Sequence, residues 1–122
     1  MQLVLRIAAY LTFLLGIGLL GRLLGMYSLS GMVDMLHMLL GIATAILALV
    51  VLGNTIRQDG IRGIAAWFPL LPLALGILWY TSMNGVMALI AIHAVLGLTA
   101  IGLIEMHLAR RKRAQRAALG QQ

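Results

Sequence analysis

Four long apolar stretches fix what this chain can fold into. They run from about Leu3 to Leu24, Met32 to Leu52, Ile64 to Tyr80 and Val86 to Ala109. A helix needs about 20 mostly apolar residues to cross a bilayer core, with a range of about 17–25, and all four stretches qualify. The chain is 62% hydrophobic and 10% charged, whereas a soluble domain has about 25% charged residues. We therefore expect an integral membrane protein.

Short connections join the four stretches, so consecutive helices should be antiparallel neighbours. The expected fold is all-α, an up-down four-helix transmembrane bundle over residues 1–109, followed by a basic tail over residues 110–122. Pro69 and Pro72 lie inside the third stretch, where each removes a backbone donor and is expected to bend the helix.

The basic residues predict the orientation of the bundle. Arg57 and Arg62 lie in the middle connection, and five of the nine basic residues follow the fourth stretch. By the positive-inside rule both termini face the cytoplasm, in a membrane of prokaryotic inner-membrane type. Because the basic cluster directly follows a span, it predicts contact with the lipid bilayer rather than with nucleic acid.

The chain contains no cysteine. This excludes disulfides, thiolate ligands, iron–sulfur clusters and covalent c-type haem attachment. The sequence also has no phosphate-binding loop and no recognisable nucleophile, and it leaves open whether the protein is an enzyme.

Two histidines within the second and fourth stretches are the candidate functional residues. They open similar phrases, His37-Met-Leu-Leu-Gly41 and His93-Ala-Val-Leu-Gly97, which are 56 residues apart. The repeat suggests two related helical hairpins. It places both imidazoles at a similar depth in the outer half of the bilayer, where an ionisable group is costly and usually functional.

A pair of imidazoles at one depth could ligate one haem iron from opposite sides, as neutral histidines commonly do. Gly41 and Gly97 lie one helical turn after the histidines, on the same face, and would leave room for a flat macrocycle. Two alternatives remain. The pigment could be a chlorophyll-type tetrapyrrole, or the histidines could hydrogen-bond between helices without a cofactor.

Three other polar residues bear on this site. Asp34 precedes His37 by three residues and could accept a hydrogen bond from its imidazole, or could simply suit a helix N-terminus. Arg22 could pair with haem propionates, or could be an interfacial arginine. His107 follows His93 by 14 residues, about 21 Å along a helix, and is expected at the cytoplasmic interface, apart from the pair.

Asp34-x-x-His37 and His93 give the chain a resemblance to one four-helix half of the heme A synthase (cytochrome oxidase assembly) family. The resemblance implies that His37 and His93 are axial haem ligands and that Asp34 is the counterpart of the glutamate that stands three residues before the first histidine in that family. Asp34 replaces that glutamate, Met38 stands where an arginine often follows, and the family's outer-loop cysteines are absent.

The function we expect is that of a small membrane b-type cytochrome with one bis-histidine haem near the outer face. It would transfer electrons or serve as a subunit of a respiratory or photosynthetic complex. One alternative is a half-size haem-modifying enzyme resembling heme A synthase and acting as a homodimer. Another is a cofactor-free structural subunit that stabilises membrane protein partners.

Overall fold

The computed structural model describes residues 1–26, 28, 31–53, 63–81 and 87–119. These residues form helices and the turns between them, which confirms the predicted all-α fold. Arg57 and Arg62 of the middle connection, and Val86 at the predicted start of the fourth stretch, lie outside the described residues. The helices are α1 Gln2–Leu23, α2 Gly31–Leu52, α3 Ile64–Trp67, α4 Leu70–Thr81 and α5 Met87–Leu119.

Four helical spans are long and apolar enough to cross a membrane: Gln2–Leu23, Gly31–Leu52, Ile64–Thr81 and Ala88–Leu119. The third span consists of α3 and α4 together. Pro69 separates the two helices, because it lacks the amide that would continue the α-helical hydrogen bonds. The Leu71 amide instead donates to the Phe68 carbonyl, 3.0 Å away, in a tighter turn. The predicted bend is therefore a short break.

The packing of the helices places α2 and α5 at opposite corners of the bundle. Helix α1 packs against α2 and α5, and the α3–α4 segment packs against the same two helices. We call the end where α1 and α4 finish and α2 and α5 begin the hairpin end. The opposite end, which carries the N-terminus and the end of α2, is the tail end. Side chains that point inward from α2 and α5 therefore meet across the centre of the bundle.

The most deeply buried side chains lie toward the tail end. Leu5 of α1, Leu52 of α2 and Ile104 of α5 are the largest fully buried residues. Alanines surround them and allow the helices to approach closely, as small residues do in membrane bundles. The rest of the buried cluster consists of Ala9, Ala48, Ala65, Ala66 and Leu108. The bundle is thus closed by tight apolar packing at the tail end.

The positions of buried residues repeat between the two hairpins at the same 56-residue spacing as the histidines. Thr44, Ala48 and Leu52 are buried in α2, and the residues 56 positions later in α5, Ala100, Ile104 and Leu108, are buried as well. The two hairpins therefore use equivalent faces of their second helices for packing, which supports the relation between them that the sequence suggests.

Polar contacts join α1, α2 and α5 near the tail end. Arg6 of α1 forms an ion pair with Glu105 of α5, with 2.7 Å between Nη2 and Oε2. Arg111 donates from Nη1 to the Val51 carbonyl, at 3.3 Å, near the C-terminus of α2. Helix α5 continues beyond Ala109, where the sequence predicts its span to end, as far as Leu119. Its alanine, arginine, lysine and glutamine residues favour a helix, which explains why the basic segment continues it.

The buried cluster predicts the effect of two matched substitutions in α2. Leu52 is fully buried, whereas Leu39 is 51% exposed. Leu52→Ala should destabilise the bundle by about 2–3 kcal/mol, because the cavity that it leaves is not refilled. Leu39→Ala should change the free energy of unfolding by less than about 0.5 kcal/mol. Unfolding in mixed detergent micelles measures both, and equal effects would contradict the packing described.

Candidate functional site

His37 and His93 face each other inside the bundle. Each lies six residues after the first residue of its helix, Gly31 in α2 and Met87 in α5, which is about 9 Å along the helix axis. Their ring centroids are 6.0 Å apart and the ring planes meet at 68°. The structure therefore brings together, at one depth, the two residues that the sequence singled out.

A backbone carbonyl of a neighbouring helix holds each imidazole. The His37 Nδ1 lies 2.9 Å from the Thr12 carbonyl oxygen of α1, and the His93 Nδ1 lies 2.8 Å from the Pro72 carbonyl oxygen of α4. Because a carbonyl oxygen only accepts hydrogen bonds, Nδ1 must donate in both cases. A neutral imidazole with its proton on Nδ1 keeps its lone pair on Nε2, so that both rings are in the tautomer that binds a metal through Nε2.

Glycines on the same two helices make room for the rings. A Cβ at Gly16 would lie 3.0 Å from the His37 Cε1, and one at Gly76 would lie 3.1 Å from the His93 Cε1. Each glycine follows the carbonyl partner of its histidine by four residues, one helical turn. Side chains at these positions would push the imidazoles away, so the two glycines are part of the site.

Gly16 and Gly76 were not among the candidate residues from the sequence, although a signal was present. They are the centres of two identical phrases, Leu15-Gly16-Ile17 and Leu75-Gly76-Ile77, which are 60 residues apart. The histidines are 56 residues apart. A repeat search at the histidine spacing of 56 residues aligns only the second helices of the hairpins. It does not align the first helices, which carry the two glycines.

Gly41 and Gly97, which the sequence did single out, have more space around them. A Cβ at Gly41 would be 3.9 Å from Leu73 and from Thr12, which is ordinary contact, and a Cβ at Gly97 would meet nothing within 4 Å. Both residues lie one turn beyond their histidines toward the tail end. The glycines that contact the rings are therefore Gly16 and Gly76, rather than the two that the sequence singled out.

Arg22 and Asp34 form a two-pronged ion pair at the hairpin end of α1 and α2. The Arg22 Nη1 and Nη2 donate to the Asp34 Oδ2 and Oδ1, at 2.8 and 2.7 Å. The side chains are 30% and 32% exposed. The sequence left two interpretations of Asp34 open, a hydrogen bond from the imidazole of His37 and a charge suited to a helix N-terminus; Asp34 does lie in the first turn of α2. In the structure the carbonyl of Thr12 accepts that bond, and Asp34 binds Arg22.

A pair of threonines extends the polar region on the tail side of His37. The hydroxyl of Thr12 lies 3.2 Å from that of Thr44 and donates to the carbonyl of Ala8 at 2.8 Å. Thr12 thus contacts His37 through its backbone and α2 through its side chain. It fixes the position of α1 against the helix that carries the histidine.

His107 lies apart from the pair, as expected, and it is buried, with 7% of its surface exposed. Helix α5 continues past it as a helix to Leu119, and the packing of the tail end covers it.

Within the described ranges, no three histidine, cysteine, aspartate or glutamate side chains gather as a metal site. The arrangement therefore offers two opposed imidazole ligands and no further protein ligand. Such a pair suits a metal ion whose remaining coordination positions are filled by a non-protein ligand. A tetrapyrrole, which supplies four nitrogens in a plane, is such a ligand.

Comparison with family models, curated proteins and solved structures finds no match to this chain.

The contacts of the two imidazole rings predict that a glycine-to-alanine substitution displaces a ring at two positions and not at a third. Gly16→Ala and Gly76→Ala should each displace an imidazole, because the added methyl group would lie about 3 Å from its Cε1. Gly97→Ala should not displace either ring. Nitrogen-15 NMR of histidine-labelled protein in detergent measures the imidazole shifts. An unchanged spectrum for both Gly16→Ala and Gly76→Ala would contradict the ring positions.

Proposed function

We propose that the protein is a small integral-membrane b-type cytochrome that holds one haem between His37 and His93 and transfers single electrons. The observation that carries this proposal is the opposed histidine pair, with each Nδ1 held by a carbonyl. A six-coordinate, low-spin haem iron takes two axial ligands, and neutral imidazoles bound through Nε2 would supply them.

The separation of the rings fits one iron between them. A bond from a metal to an imidazole nitrogen is about 2.0–2.1 Å, and the nitrogen is about 1.1 Å from the ring centroid, so two coaxial ligands have centroids about 6.3 Å apart. The observed distance is 6.0 Å. The centroid distance is compatible with one iron, and it also lies within the range of about 4.5–7 Å of a direct edge-to-face ring contact.

The residues of the chain have distinct roles in this proposal. Bound haem would supply a one-electron redox couple. His37 and His93 would ligate the iron, and the carbonyls of Thr12 and Pro72 would orient the ligands and increase their basicity. The buried cluster at the tail end would keep water away from one side of the haem. This exclusion of water and the two axial ligands would together set the reduction potential.

A half-size haem-modifying enzyme is the second candidate function. It is supported by Asp34-x-x-His37 and by histidines on the second and fourth spans, the features that resemble heme A synthase. A homodimer would then supply the second bundle. Altered haem in extracts of cells that express the protein would favour this function, and unaltered haem b would favour electron transfer.

The proposed location is a membrane of prokaryotic inner-membrane type, with the tail end in the cytoplasm. The basic residues of α5 support this orientation: Arg110, Arg111, Lys112, Arg113 and Arg116. At the hairpin end the described charged residues, Arg22 and Asp34, neutralise each other. The histidine pair would then lie in the outer half of the bilayer.

The purified protein should be coloured, with the absorption spectrum of a low-spin b-type haem and a pyridine haemochrome of haem b. His37→Ala and His93→Ala should each remove one axial ligand and shift the Soret band or abolish binding. His107→Gln, outside the pair, should leave the spectrum unchanged. A colourless protein from haem-replete cells would contradict both haem functions and favour a structural subunit. A chlorin spectrum would identify a chlorophyll-type pigment.

The absence of cysteine makes the orientation directly testable. Ser28 and Gln115 are exposed at opposite ends of the bundle, so Ser28→Cys and Gln115→Cys each introduce a unique thiol. A membrane-impermeant maleimide added to intact cells should label the cysteine at position 28, and should label the one at position 115 only after lysis. The reverse pattern would contradict the proposed orientation.

A further inference from the structure

The Arg22–Asp34 pair lies where the carboxylates of a bound tetrapyrrole would meet the protein. Asp34 precedes His37 by three residues, about 4.5 Å along α2, and Arg22 follows Gly16 by six residues, about 9 Å along α1. Gly16 is in contact with the ring of His37. Among the described residues, Arg22 is the cation on the hairpin side of the histidine pair.

The tail side of the pair offers no comparable partner for a carboxylate. Leu5, Ala48 and Ile104 are buried there, and the polar groups nearest the pair are the uncharged hydroxyls of Thr12 and Thr44. The next cation in that direction, Arg6, is paired with Glu105. Because a carboxylate placed in an apolar core without a partner is strongly unfavourable, propionate groups would have to point toward the hairpin end and Arg22.

The end-on edge of the Arg22 guanidinium, between Nη1 and Nη2, can hold one carboxylate at a time. Both of its terminal nitrogens already donate to Asp34, in the two-pronged arrangement that arginine also forms with other carboxylates. The pair is about one-third exposed. Water can therefore solvate Asp34 if Arg22 turns away, so the exchange of partners is feasible.

We propose that Asp34 competes with a haem propionate for Arg22. Arg22 binds Asp34 in the cofactor-free protein and a propionate in the haem-loaded protein, so Asp34 weakens haem binding and Arg22 orients the macrocycle. This inference rests on the proposed haem function. If Asp34 supported the histidine ligand, removing its charge would weaken haem binding. If it competes for Arg22, removing its charge should tighten haem binding.

Titration of the cofactor-free protein in detergent tests this, with two ligands that differ only in the propionates: haem b and its dimethyl ester. The Soret band reports the dissociation constant. Arg22→Gln should weaken binding of haem b about tenfold, as expected for the loss of a charge-assisted hydrogen bond. Asp34→Asn should tighten it by about threefold to tenfold, because Arg22 is then free.

The ester and the double variant separate competition from other effects. Binding of the ester should change by less than about twofold in either single variant, which also shows that the bundle is intact. In the Arg22→Gln background, Asp34→Asn should no longer tighten binding of haem b. An undiminished gain there would overturn the competition for Arg22, since Asp34 would then act by direct repulsion.

Failure of this inference can be told apart from failure of the haem function. If Asp34→Asn weakens binding of both haem b and the ester, Asp34 supports the site and the inference is wrong, while the haem function stands. If the unmodified protein gives no histidine-dependent Soret change with either ligand, the haem function itself is wrong.

Discussion

The hydrogen bonds from the two imidazoles to backbone carbonyls determine how the rest of the bundle is arranged around the site. An imidazole inside an apolar bundle needs a partner for its N–H group, and Thr12 and Pro72 provide it from the adjacent helices. Each bond brings its ring against a helix backbone, and this is possible only where a glycine stands one turn beyond the carbonyl, at Gly16 and Gly76. The bonds also leave the lone pair of each imidazole on Nε2, the nitrogen that would bind the proposed haem iron.

The two hairpins share this arrangement of hydrogen bonds and glycines but differ in their charged residues. The histidine, carbonyl and glycine recur in both, and so does the burial of the second helix. Arg22 and Asp34 have no charged counterpart in the second hairpin, where Ser82 and Ile90 stand at the corresponding spacings. A roughly symmetric pair of histidines is therefore combined with one charged ion pair, on the side of the first hairpin. In the proposed haem site, this asymmetry would distinguish the two edges of the macrocycle although the two axial histidines are alike.

The fold was predictable from the sequence, because hydropathy and length alone define spans that must be helical in a membrane. The pairing of His37 with His93 followed from their equal depth. The partners of the polar side chains were not predictable, since they depend on the register between helices. Gly16 and Gly76 act on rings from other helices. Asp34 and His37 share a face of α2, yet each is bound by a residue of α1 that sequence spacing does not identify.

The most direct test of the central claim is electron paramagnetic resonance of the oxidised protein, with nitrogen-15 in the histidines. We expect a low-spin ferric signal with hyperfine coupling to two imidazole nitrogens. It should be strongly anisotropic, because the ring planes lie at 68° rather than parallel. A high-spin five-coordinate signal, or coupling to only one histidine, would contradict a haem held between His37 and His93.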